Sequence, residues 1–90
     1  MRQEAIYCYD LASVRFAIYP DGPDGARLLA EITEQALRYL FGARGDSDAL
    51  LRAYAASATL IDAAAVRQYR AAPQSPIRLD VADFSAALAA

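Results

Sequence analysis

Residues 14–33 read VRFAIYPDGPDGARLLAEIT, and this stretch decides the fold class. Val14, Phe16 and Ile18 alternate with Arg15, Ala17 and Tyr19, the period of two expected of a strand with one buried face. Pro20 cannot donate to a ladder and ends the run. The following PDGPDG supplies two glycines free to take positive φ beside turn-favouring Asp21 and Asp24, which predicts an antiparallel reversal. A third strand over about Ala26 to Ile32 then places Leu28, Ala30 and Ile32 on the core side and Leu29 and Glu31 on the other.

Upstream, Ala5 to Tyr9 alternates as well, predicting a first strand with Ile6 and Cys8 on the core face and Tyr7 and Tyr9 on the opposite one; Asp10 and Ser13 frame the turn. Downstream, Thr33 caps a helix whose apolar stripe is Ala36, Leu37, Leu40 and Phe41, with Glu34 at the positive end of its dipole and Gly42 at its close. Asp46 or Ser47 caps a second helix, in which Leu51, Tyr54, Ala58, Ile61 and Ala65 recur at helical spacing as far as about Ala72, before Pro73 and Pro76. Unbroken, those roughly 26 residues would span about 39 Å and would overhang the sheet or meet a partner. Ile77, Leu79 and Val81 alternate with Arg78 and Asp80 in a fourth strand, and Phe84 and Leu88 suit a short terminal helix. The expectation is a single α+β domain over residues 1–90, a small antiparallel sheet in the order β-β-β-α-α-β with helices packed on one face.

Composition limits the chemistry. The 90 residues include 22 alanines, nine arginines, no lysine, no histidine, no tryptophan and one cysteine. The usual metal ligands, the usual general base and the P-loop cation are therefore missing, and the expectation is a protein that is not an enzyme and holds no cofactor or metal. Cys8, on a face with Val14, Phe16 and Ile18, reads as a buried structural thiol. A net charge of −2 runs against phosphate-driven binding, so nucleic acid is disfavoured. Arginine without lysine beside abundant alanine fits a GC-rich genome. No apolar run approaches the roughly 20 residues of a membrane span, the first ten residues carry no signal-like apolar core, and a lone cysteine fits a reducing compartment; a cytoplasmic location is expected.

The residues worth testing for function lie on the sheet face turned away from the helices. On this reading Tyr7, Tyr9, Arg15, Tyr19, Leu29 and Arg78 share that face, and tyrosine and arginine are the types enriched at the centres of protein interfaces. A homodimer or another protein partner is the leading expectation. The alternative is a nucleic-acid-binding regulator using either this face or the helix connector, where Gly42, Arg44 and Gly45 are similar to the GxxG loop with which KH domains clamp a nucleic-acid backbone. Asp46 and Asp48 stand beside that loop and would repel phosphate.

Together the hairpin VRFAIYPDG, the run AEITEQALRYLFGA, the segment LLRAYAASATLIDAAAVRQY and the closing IRLDVADF resemble the small bacterial proteins grouped as domain of unknown function 1488, over about Ile6 to Phe84. The resemblance implies a bacterial single-domain α+β protein and brings no activity and no catalytic residues with it.

Overall fold

A stiff, β-branched and aromatic alternation makes Ser13–Ile18 a strong strand, and it becomes one of the two inner strands of the sheet. The computed structural model describes residues 5–10, 12–73 and 77–84. In chain order these form β1 (Ala5–Cys8), β2 (Ser13–Ile18), β3 (Leu28–Thr33), α1 (Glu34–Leu40), α2 (Ser47–Ala56), α3 (Ala58–Ala71) and β4 (Ile77–Leu79). Residues 81–84 are helical. The strands lie side by side in sequence order, so the class is α+β with a four-stranded sheet, as expected.

β4 ends at Leu79, so Val81, expected in that strand, instead begins the helical residues 81–84, and three larger features also differ from the sequence reading. First, the sheet is mixed, because β4 runs parallel to β3 while the other two pairs are antiparallel. The connection from β3 to β4 passes through three helices, and a parallel neighbour needs a crossover of that kind. Second, β1 is turned over. Four residues separate the paired Cys8 and Ser13, which sets Tyr7 opposite Val14 and Ile6 opposite Arg15. Tyr7 therefore shares the core face, Ile6 and Cys8 the other, and Cys8 is only half-buried. One residue more or less in the turn would reverse this, since side-chain parity has a period of two.

Third, the long second helix is broken at Ser57. Its two parts, α2 and α3, meet at a bend of 80°. No single helix among the described residues is long and apolar enough to cross a membrane. The break lets both parts lie on the sheet. Tyr54 and Leu50 of α2 and Ile61, Ala64 and Ala65 of α3 are buried with Val14, Phe16, Ile18, Ile32, Leu37, Ile77 and Leu79. Phe84 is fully buried too, its ring edge-on to Phe41 at 5.4 Å; Leu88, its expected partner, lies outside the described residues.

The caps follow the sequence. Asp46 accepts from the Ala49 amide at the start of α2. Gly42, at φ 73°, turns the chain after α1 so that the Ala43 amide returns to the Leu37 carbonyl. Thr33 does double duty: its hydroxyl accepts from the Ala36 amide (3.1 Å) and donates to Asp80 Oδ1 (2.9 Å), tying the start of α1 to the segment after β4. Thr33→Ala removes both links and is expected to lower stability by about 1–2 kcal/mol, read from the urea midpoint.

Candidate interaction face

Cross-strand register lines up one residue from each strand. Ile6 pairs with Arg15, Arg15 with Glu31, and Glu31 with Arg78, so the four side chains form a row across the whole sheet on the face away from the core. Neighbours in such a row are in side-chain contact range, and opposite charges attract. Arg78 Nη1 donates to Glu31 Oε2, and Arg15 Nε stands 3.7 Å from Glu31 Oε1, an ionic contact too long for a hydrogen bond. The carboxylate is only 5% exposed under the two guanidinium groups, whereas the arginine side chains are 40% and 48% exposed. Burying a carboxylate is tolerable here because both of its sides meet positive charge.

Apolar surface flanks the row. Ile6 is 64% exposed at its edge and Leu29, two residues before Glu31, is 41% exposed beside the half-buried Ala17. Toward the β1–β2 turn the same face closes over, since Ser13 and Thr33 are buried. The open part thus consists of Ile6, Arg15, Arg78 and Leu29 around a covered Glu31. Two arginines against one glutamate make it locally positive, on a chain whose net charge is −2.

Of the six residues expected on this face, Arg15, Leu29 and Arg78 are placed on it by the strand register. Tyr7 is not, because of the reversed parity of β1: its hydroxyl donates to Glu34 Oε1 at 2.8 Å. That bond, more than burial, pushes the phenol above its ordinary range. Glu34 is held below the usual carboxylate range, first by Arg38, which donates from Nε at 2.8 Å, and then by Tyr7. Tyr9 lies in the turn, exposed, with its ring edge-on to Tyr7 at 4.9 Å. Tyr19 stands one residue past the end of β2, 41% exposed and in step with Arg15 and Ala17, and its carbonyl accepts from the Gly22 amide in the reversal. The face is therefore an arginine–glutamate row with aliphatic flanks and not a tyrosine platform. Ile6 and Glu31 are the members that sequence reasoning passed over; Glu31 could have been found, since its alternation with Leu28, Ala30 and Ile32 already placed it outward.

The connector between α1 and α2 is arranged differently from an open phosphate clamp. Arg38 Nη2 donates to the Gly45 carbonyl at 2.7 Å, Ala43 is buried, Arg44 is exposed, and Asp46 is committed to capping α2. Near the C-terminal ends of β3 and β4 lies an open cleft of about 640 Å³ lined by Thr33, Glu34, Arg38, Tyr39, Arg78 and Asp80 among others. Its two carboxylates balance its two arginines, and the Thr33 hydroxyl is spent on the cap and on Asp80. No protein-family model, curated protein or solved structure matches the chain.

Proposed function

We propose that this is a non-catalytic bacterial protein, working in the cytoplasm, that acts by self-association or by holding a protein partner on the open face of its sheet. The observation that carries this reading is the row Ile6–Arg15–Glu31–Arg78, with exposed aliphatic side chains flanking two half-exposed arginine side chains. Arginine beside exposed aliphatic carbon is the composition of an interface centre. Glu31 takes up part of the hydrogen-bonding capacity of Arg78 and leaves donors on the arginines that a carboxylate on the partner would satisfy. The likeness to domain of unknown function 1488 agrees with such a role only in supplying no competing activity.

Ile6→Asp tests it. At a position 64% exposed the substitution is expected to change stability by less than about 0.5 kcal/mol, while placing a carboxylate in the patch. Sedimentation over a concentration series is expected to show association of the wild-type chain, weakened at least tenfold in the variant; if association is partner-dependent, capture of that partner falls in the same way. A wild-type chain that stays monomeric, together with partner capture indifferent to both Ile6→Asp and Leu29→Asp, would remove the proposal.

A further inference from the structure

The break at Ser57 has no local cause. Between Ser47 and Ala71 the chain contains neither glycine nor proline, and AYAASATLIDAAA around the break is rich in the best helix former. Ser57 sits at φ −120°, ψ 21°, outside helical geometry, and its side chain makes no capping bond to α3. Helix starts normally carry such a cap, or a breaker before them. Here the local sequence favours one continuous helix, and packing alone imposes two. A conflict of that kind between local preference and global fold marks an element with a second accessible arrangement.

The second arrangement does not fit inside one molecule. Straightened, Ser47–Ala71 would extend about 37 Å at 1.5 Å per residue, beyond the molecule's longest dimension of 34 Å. Tyr54 and Asp62, joined by a 2.7 Å hydrogen bond across the bend, would then stand about 12 Å apart along the axis. Straightening would carry α3, β4 and residues 81–84 off the core, exposing Ile61, Ala65, Ile77, Leu79 and Phe84, all of them fully buried. It would also uncover the β3 edge at Ala30–Ile32, where β4 pairs. Such a segment cannot remain in water, and the one surface certain to match it is the vacated site on a second copy of the chain.

We infer that two copies exchange α3 and β4 about Ser57, each chain's α2 and α3 fusing into one straight helix while its β4 pairs with the other copy's β3. Exchange re-forms every contact of the closed monomer except those at the hinge. The Tyr54–Asp62 bond becomes a bond between chains. The amides of Ala58, Thr59 and Leu60, which precede the first α3 bond from Ile61 to Ser57, regain partners in the straight helix. A single-residue hinge between elements that are each complete is the geometry in which such exchange is least costly. The inference is separable from the sheet-face reading at Ile6, because residues 5–8 and 28–31 stay with their own chain, while Arg78 leaves with β4 and the other copy's Arg78 takes its place beside Glu31.

The test is refolding of the full chain from denaturant at high protein concentration, followed by size exclusion with light scattering. Ser57→Ala favours the straight helix and Ser57→Gly disfavours it; with two hinges per dimer, the dimerisation constant is expected to be about thirtyfold greater for the alanine variant. Isolated dimers are expected to persist for hours after dilution, because separation requires α3 and β4 to leave the core. Adding Ile6→Asp to Ser57→Ala is expected to leave these dimers intact. Equal dimerisation of the two Ser57 variants, or dimers that dissociate at once on dilution, overturns the exchange. Loss of the dimer on adding Ile6→Asp overturns it as well, and in that case association runs through the sheet face instead.

Discussion

Tyr54→Ala is expected to lower the stability of the domain by about 3–5 kcal/mol, the range for emptying a buried aromatic site. Tyr54 is fully buried at the bend between α2 and α3, with its ring 4.8 Å from that of Phe16 and its hydroxyl on Asp62. A chain of this size has about 5–13 kcal/mol in total, so the variant is expected to be partly unfolded at 37 °C, visible as loss of near-ultraviolet dichroism and a sharply reduced urea midpoint. Tyr54→Phe isolates the polar part. It keeps the ring and removes a donor from a half-buried carboxylate, for an expected loss of about 1–2 kcal/mol near neutral pH.

That loss depends on pH in a definite direction. Burial raises the Asp62 carboxyl above its ordinary range, and the Tyr54 hydroxyl partly opposes the rise by favouring the ionised form. For an acid whose folded-state pKa is raised, the fold gains from the neutral form at low pH and loses that gain as pH climbs from the unfolded value through the folded one. Without the Tyr54 hydroxyl the folded value moves further up and the loss is larger. The gap between wild type and Tyr54→Phe should therefore widen between about pH 3 and about pH 7, measured by urea unfolding at both. A gap that narrows would mean that the hydroxyl does not support the carboxylate. Tyr54 itself is pushed well above the ordinary phenol range, first by burial and then by Asp62, and remains protonated throughout.

Glu31→Gln is the second large effect. It leaves Arg15 and Arg78 flanking a neutral side chain on adjacent strands, without the charge that both approach. Removing one member of a buried ionic group commonly costs about 3–5 kcal/mol, but both arginines are nearly half exposed and can turn to water, which reduces the expected loss to about 2 kcal/mol. Replacing the whole ionic group by apolar side chains separates the cost of a stranded charge from the worth of the group itself. The substitutions Arg15→Met, Glu31→Leu and Arg78→Met made at once are expected to recover most of the loss, because no unpaired charge remains. Denaturant unfolding of the single and triple variants checks this. A triple variant less stable than Glu31→Gln would show that the charges stabilise the sheet directly.

The row that carries these expectations was only partly legible in the sequence. Alternation within β2, β3 and β4 placed Arg15, Glu31 and Arg78 outward, because a strand's side chains alternate whatever it pairs with. It could not say that the three are in register, which depends on the lengths of the nine-residue reversal between Ile18 and Leu28 and of the long crossover to β4. Parity between strands is likewise a property of the turn. Four residues between Cys8 and Ser13 sent Tyr7 to Glu34 and Ile6 to the open face, against the reading that took the tyrosines as one surface.

Local chemistry by itself determined the strands over 14–18 and 28–32, the Thr33 and Asp46 caps, the turn at Gly42 and the buried stripe Tyr54, Ala58, Ile61 and Ala65. Each of these rests on interactions within a few residues of chain or on the period of one element. Tertiary structure alone decided the direction of β4, the parity of β1 and the bend at Ser57. Those three are set by which distant surfaces must be covered at once: a helix of 25 alanine-rich residues is locally content to be straight, and it bends because only then do Tyr54 and Ile61 both reach the one core the chain can build.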